Sequence, residues 1–401
     1  MAVSHSRDST HRQVLILASA QALSQISSVM VMTIGGLAGA QLADSPRWAT
    51  LPIATMLLGT AVMTFPASLW MAKIGRRAGF LCGTLFGVAG GLMAALGIAQ
   101  RSFELLALGT FLVGNYQAFA QYYRFAASEV ADENFRSRAI SLVMTGGVVA
   151  AVLGPLLARI GSPMFQLEYL GSFLIVALVS LVASSVLFGL RIPDEHGAAA
   201  ASGGRPWREV VSQPAYLVAL FGAVTGSGVM VLAMTATPIA MHHHHHALGA
   251  TTAVIQLHVL GMYLPSFFTG SLVARFGVLR VMLTGVALLA GHILMTLSGT
   301  GFGSFAGALI LLGLGWNFLY IGGTTLLTTA YVAAEKVRAQ AINDMTIFGV
   351  ALVCSLSAGG LLAAFGWERM NLVLLPWLAL CALSLVWFGA RQRARVALNG
   401  A

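Results

Sequence analysis

Charge is what this sequence has least of. Asp, Glu, Lys and Arg together make up 9% of its 401 residues, against 58% hydrophobic residues. The mean hydropathy is +0.84. A soluble domain carries about a quarter charged residues, so this chain lacks the polar surface to face water on all sides. Acids are scarcest, 13 in all. None is expected near the middle of an apolar run, where a proton-driven drug pump would keep its relay. There are three cysteines, Cys82, Cys354 and Cys381. They form no C-x-x-C and no disulfide framework, and they read as small buried residues. No Walker loop, HExxH or catalytic triad occurs, so no enzyme is expected.

What is present is long apolar runs. Twelve stretches reach the roughly 20 residues that cross a bilayer. They fall near 14–38, 49–71, 78–99, 105–124, 139–160, 171–190, 214–240, 250–272, 280–299, 304–327, 342–364 and 371–390. The opening segment MAVSHSRDSTHR is polar and short, and no small-residue cleavage site follows it. The first run is therefore read as a retained helix. The net charge of +9 could suggest nucleic acid, but its placement says otherwise. With the N-terminus inside, only Arg47, Arg101, Arg159 and Arg369 of the 22 basic residues fall outside. That bias follows the positive-inside rule and puts both termini in the cytoplasm. The lipid bilayer is the expected environment, and no nucleic-acid partner is expected.

The one long polar interruption centres on GAAAASGG, a flexible linker by composition. It divides the chain into an N-terminal six-helix half (1–190), a cytoplasmic linker (191–213) and a C-terminal six-helix half (214–401). The halves echo each other. Gly75 and Gly277 are 202 residues apart, as are Lys73 and Arg275, and RSRA from Arg136 aligns with RAQA from Arg338 at the same offset. A shared offset in two unrelated loops marks a duplicated unit. The short basic loops SLWMAKIGRR and GSLVARFGVL, twelve spans and the central linker resemble the major facilitator superfamily over the full length. The resemblance implies an all-α integral membrane fold, twelve transmembrane helices in two pseudo-symmetric halves, rocking about a midplane site. Ala72 and Ala274 stand where the loop motif usually has an acid, so the usual charge pairing between helices is not expected in that form.

One stretch invites a chemical reading: GVMVLAMTATPIAMHHHHHALGATTAVIQLHVLGM, from Gly228 to Met262. Met230 and Met234 share one face of the seventh span, and His258 and Met262 share one face of the eighth. At 1.5 Å per residue both pairs lie roughly 9–18 Å from the outer ends of their helices. Thioethers and an imidazole form a soft donor set that prefers Cu(I) to hard cations. Met241 and His242, His243, His244, His245 and His246 are expected in the outer loop, where they would capture metal at the mouth. The Met-x-x-x-Met and His-x-x-x-Met pairs resemble those of CcoA-type copper importers. The resemblance implies copper uptake across the bacterial cytoplasmic (inner) membrane for cbb3-type cytochrome c oxidase, with copper as substrate, a cytoplasmic copper chaperone as a partner, and no permanently bound cofactor.

Met30, Met32 and Met56 occupy roughly repeat-equivalent places and, with Gln117 and Gln121 on the fourth span, are further cavity candidates. Packing is the plainer reading for the methionines, while the polar face of Asn115, Gln117 and Gln121 could line the pathway or bridge helices. His292 and Met295 form an i,i+3 pair on a helix expected at the periphery and read as packing. Arg124 is expected to pair with Glu129, and Asp344 to cap the eleventh span. GGVVAAVLGP loosely resembles the glycine-rich helix-five motif of antiporters, and close helix packing explains it equally well. The leading expectation is a copper importer. Its rivals are an efflux transporter for drugs or sugars and a non-transporting copper receptor.

Overall fold

A computed structural model describes residues 2–44, 48, 51–192 and 204–399 of the chain. The linker centre, and Arg47, lie outside the described residues. The regular structure is helical throughout the described residues. The first half holds α1 (Ala2–Leu42), α2 (Leu51–Ile74), α3 (Arg76–Gln100), α4 (Phe103–Ala120), α5 (Tyr123–Val130), α6 (Arg136–Met144), α7 (Gly146–Gly161) and α8 (Leu170–Leu187). After a short linker helix, α9 (Trp207–Val211), come α10 (Pro214–His243), α11 (Leu248–Tyr263), α12 (Ser266–Phe276), α13 (Val278–Thr296), α14 (Phe302–Leu327), α15 (Lys336–Leu372) and α16 (Leu375–Asn399).

Twelve spans result once the broken ones are joined: α4 with α5, α6 with α7, and α11 with α12. Among the described residues, ten helical segments are long and apolar enough to cross a membrane, and one of them, Lys336–Ala394, is 59 residues long and holds both α15 and most of α16. The breaks have local causes. Pro265 lacks an N–H and obstructs the preceding turn, so α11 ends and α12 begins around it. Gly366 sits at φ 73, ψ 172, a conformation open to glycine, and interrupts α15. The histidine run is partly helical. His242 and His243 form the last turn of α10, and the loop proper starts at His244.

The chain forms two compact units that are not contiguous in sequence. One comprises residues 1–132, 142–203 and 340–345; the other 133–141, 204–339 and 346–401. Each takes in a short segment from the opposite half of the sequence. In the second unit Ser137 Oγ donates to the Gly270 carbonyl at 3.0 Å, and Ser141 Oγ donates to the Ser266 carbonyl.

Within each unit the helices close on glycines. A Cβ on Gly59 would stand 2.2 Å from the Phe111 carbonyl oxygen, and one on Gly114 would stand 2.0 Å from that of Met56. Bare backbone is what lets α2 and α4 approach so closely. The corresponding helix pair, α11 and α14, also closes on a glycine: a Cβ on Gly261, 202 residues after Gly59, would stand 3.0 Å from the Ile310 carbonyl oxygen. The loop glycines repeat as well: Gly75 has φ 86, ψ 156 and Gly277 has φ 88, ψ 149. Left-handed φ at both explains why both are glycine. Gly146 abuts Ala18 and Ala22, and Gly154 abuts Val29, so the small residues of α7 serve close helix contact.

Candidate functional site

The second unit places its aromatic and imidazole groups along α14. Trp316 stacks on Tyr320, ring centroids 4.7 Å apart at 17°, and takes the Tyr263 ring edge-on at 5.8 Å. The Trp316 Nε1 is buried without a hydrogen-bond partner among the described residues. A buried indole N–H usually finds an acceptor, so this donor is available to a bound group. Asn317 beside it is fully buried. It donates to the Met262 carbonyl and to Ser266 Oγ, each at 2.6 Å. Thr269 in turn donates to Asn317 Oδ1 at 2.7 Å. These bonds tie α14 across the Pro265 break, where α11 and α12 have lost helical continuity.

His258 is fully buried on α11. Its Nδ1 lies 2.9 Å from the Leu309 carbonyl oxygen of α14. A carbonyl only accepts, so Nδ1 carries the proton and Nε2 is the bare nitrogen. Nε2 has no partner among the described residues. Met262, one turn on, is buried, while Met230 and Met234 on α10 are half-buried. Met241 is buried at the end of α10. His242, His243, His244 and His245 are exposed and His246 is half-buried. The His246 ring is fastened inward: Nε2 lies 2.7 Å from the Thr300 carbonyl, and the ring meets Phe305 edge-on at 5.6 Å. Among the described residues, no three His, Cys, Asp or Glu side chains gather as a metal site.

The first unit buries charge. Arg124 Nη2 lies 2.5 Å from Asp344 Oδ1, the two side chains 3% and 0% exposed. Asn343 donates to the same carboxylate at 2.8 Å, and Arg124 Nη1 donates to Gln121 at 3.2 Å. Beside this pair Arg76 holds Glu129 at 2.7 Å and Gln340 at 2.7 Å, with its guanidinium 5.5 Å over the Tyr122 ring. Arg124 is thus paired with Asp344, not Glu129, and Glu129 belongs to Arg76. Asp344 is no cap: it lies inside α15, buried, holding an arginine from the α4–α5 span. Asp344 lies close to one end of its span, as expected, but it is an ion-pair partner and not a cap. Unpaired charges inside apolar runs need partners, and that rule applied to Arg124 and Asp344 together would have joined them.

The remaining candidates divide. Gln117 Nε2 donates to the Ser24 carbonyl of α1 at 2.6 Å, a helix bridge. Met30 and Met56 are 0% and 2% exposed inside the apolar core cluster of the first unit, while Met32 is 42% exposed. Met30 and Met56 are therefore core, not cavity wall. Sequence reasoning passed over Trp316, Tyr320 and Asn317, whose signal was a polar and aromatic interruption, WNFLY, in an apolar span.

Residues 17–262 match the Major Facilitator Superfamily. The chain belongs to it. Riboflavin transporter RfnT of Brucella anthropi is 40% identical over 382 residues, covering 94% of this chain and 95% of that one. The uncharacterized MFS-type transporter YdeG of Bacillus subtilis is 31% identical, covering 83% and 80%. Among solved structures the Major Facilitator Superfamily transporter FucP in its outward conformation superposes with a TM-score of 0.74 over 93% of this chain and 98% of that one, at 16% identity. That last likeness shows the fold. The chain is a multi-pass membrane protein of the transporter family.

These findings overturn the copper reading. A full-length relative at 40% identity carries an organic heterocycle in its name, not a metal. Copper as transported ion falls with it, and so does the copper chaperone as partner. The physical reason is visible in the site. Met-x-x-x-Met and His-x-x-x-Met fix which residues share a helix face but not what that face meets. His258 already spends one nitrogen on the Leu309 carbonyl.

Proposed function

We propose that this protein moves a flavin, riboflavin first among them, across the bacterial cytoplasmic membrane by alternating access of its two halves, with both termini cytoplasmic. The observation that carries the reading is the 40% identity to a riboflavin transporter along nearly the whole of both chains. Two features of the second unit support it. A flavin is a flat heteroaromatic ring edged with hydrogen-bond acceptors. Trp316, Tyr320 and Tyr263 supply flat rings, and Trp316 Nε1 is a buried donor awaiting an acceptor. In this reading Met230, Met234 and Met262 form the wall of the solute path, since thioethers pack favourably against aromatic faces. His258 offers the bare Nε2 beside them. The basic bias of the loops supports the orientation.

The test is uptake of labelled riboflavin by a riboflavin-auxotrophic bacterium expressing the chain, with vector alone and matched expression as controls. Accumulation above vector, with growth rescued at low external riboflavin, is the expected result. Accumulation at or below vector overturns it, and a level below vector points to efflux.

A further inference from the structure

His292 on α13 is fully buried and belongs to none of the groups assigned above. Its Nδ1 lies 2.9 Å from the Ala308 carbonyl oxygen, and its Nε2 lies 3.1 Å from Asn371 Oδ1. The Asn371 amide cannot be turned to help. Its Nδ2 donates to the Trp367 carbonyl at 2.8 Å, and reversal would set oxygen against oxygen there. Both neighbours of the ring are therefore acceptors. A neutral imidazole has one N–H, whereas an imidazolium has two. In either neutral tautomer one ring nitrogen meets an acceptor lone pair to lone pair. Only the imidazolium makes both bonds.

The neighbouring elements supply no competing acid. α14 presents the Ala308 carbonyl. α15 presents Asn371, while its Glu368 and Arg369 are exposed. α11 contributes a second imidazole, His258, whose Nδ1 is engaged by the Leu309 carbonyl. Arg275 of α12, and His242 and His243 of α10, are exposed. α16 carries no ionisable Asp, Glu, His, Lys or Arg between Leu375 and Gly389. Nor does the fold require a histidine here. The residue 202 positions earlier is Gly90, where a Cβ would stand 2.7 Å from the Gly109 carbonyl. The first unit closes this helix contact with bare backbone, and the second bridges it with a ring that needs a proton.

We propose that His292 is a proton-binding site, through which a proton gradient acts on the carboxyl-terminal half. The ring takes its proton from water at one nitrogen and returns it to water, and no other bond is made or broken. Protonated, it ties α13 to α14 and to the segment Trp367–Leu372 beyond the Gly366 break. Deprotonated, one bond becomes a repulsion. The Asn371 side gives way, because that segment hangs on a non-helical glycine while Ala308 lies within an unbroken helix.

The test needs no transported solute, so it stands or falls independently of the riboflavin reading. The full chain, labelled with ring-¹⁵N histidine in phospholipid nanodiscs, is titrated by NMR between about pH 5 and 8, where imidazole ordinarily changes charge. The His292 signal is identified by its loss in His292→Gln and, should that variant not fold, as the histidine signal that moves in Asn371→Leu. The expected result is a wild-type ring that carries one proton at the alkaline end of the window and gains the second, on the nitrogen facing Asn371, as the pH falls. Asn371→Leu should weaken proton binding about tenfold or more, a midpoint lower by roughly one pH unit or more, since a hydrogen bond to a charged donor is lost. Amide exchange across Trp367–Leu372 should quicken as the ring loses its proton. A ring that stays neutral throughout the window overturns the proposal, as does a titration that Asn371→Leu leaves unchanged.

Discussion

Replacing Asp344 with alanine removes one half of the most deeply buried ion pair among the described residues. The Arg124 side chain is 3% exposed and that of Asp344 is 0% exposed, so water cannot take over the lost partner. Breaking such a pair costs about 3–5 kcal/mol, because an uncompensated charge stays buried. Asn343 also loses the carboxylate it donates to, adding about 1 kcal/mol. Removing both charges should be far milder, since an apolar replacement of a buried pair is often near neutral. The assay is a double-mutant cycle on Asp344→Ala, Arg124→Ala and the double variant, by unfolding in lipid–detergent micelles with increasing SDS. A coupling energy of about 2 kcal/mol or more, with the double variant more stable than Asp344→Ala alone, is expected. Asp344→Asn should fall between, because its amide oxygen can still accept from Arg124. Additive single effects would refute the reasoning. They would mean that each side chain is held by other neighbours and that the 2.5 Å contact contributes nothing of its own.

Glu335 gives a pH prediction outside the spans. Hydrogen bonds from Arg205, with further ones from the backbone N–H groups of Val332 and Arg205, hold its carboxyl at about 2, below its ordinary 4.5. A lowered carboxylate stabilises the fold above 4.5 and loses that contribution as pH falls towards 2. With Arg205 37% exposed, Glu335→Gln should cost about 1 kcal/mol or less near neutrality, and the gap to wild type should close in acid. Gly114→Ala places a Cβ 2.0 Å from the Met56 carbonyl oxygen, a backbone atom that cannot step aside. It should destabilise by about 1–3 kcal/mol or more in the same SDS assay, whereas the open site at Gly349 should tolerate alanine. Trp316→Ala should abolish riboflavin uptake at expression levels where Trp316→Phe keeps part of it, as Phe retains a ring but no N–H. Replacing the exposed His242, His243, His244 and His245 together with serine should change stability by no more than about 0.5 kcal/mol and leave riboflavin uptake intact.

The span pattern, the basic loops and the repeat were legible because each rests on a short-range signal. Hydropathy over a window finds a helix, and one offset of 202 finds the duplication. Partners across the chain were not legible. Asp344 meets an arginine 220 residues away in sequence, and nothing local distinguishes a helix cap from a buried ion at that position. The broken spans were half-visible: Pro265 and Gly366 mark them, yet a hydropathy window runs through both. Met230, Met234, His258 and Met262 show the opposite error. Their spacing was read correctly, but spacing says nothing of which side chains are already engaged. His258 bonds a carbonyl, and seventeen methionines make a pair at i,i+4 an ordinary event in an apolar helix.

The repeat shows where the halves have diverged. Backbone features recur at the 202-residue offset: Gly75 and Gly277 share a left-handed φ, and Gly59 and Gly261 close corresponding helix contacts. The chemistry does not recur. The counterparts of Arg124 and Asp344 are Leu326 and Leu142, that of His292 is Gly90, and that of Trp316 is Gly114. A duplicated fold needs its close-packed positions in both copies, because loss of either opens a helix contact. It needs an ion pair, an imidazole or a stacking ring only where something is bound or held. The positions at which one copy keeps glycine or leucine and the other a charge or a ring are therefore where function has been added to the scaffold. By that criterion the proposed proton and solute sites, His292 and the Trp316–Tyr320 stack, fall where the second unit departs from the first. The first unit instead keeps a buried ion pair, Arg124 with Asp344, which anchors the α4–α5 span because neither charge can be left alone away from water.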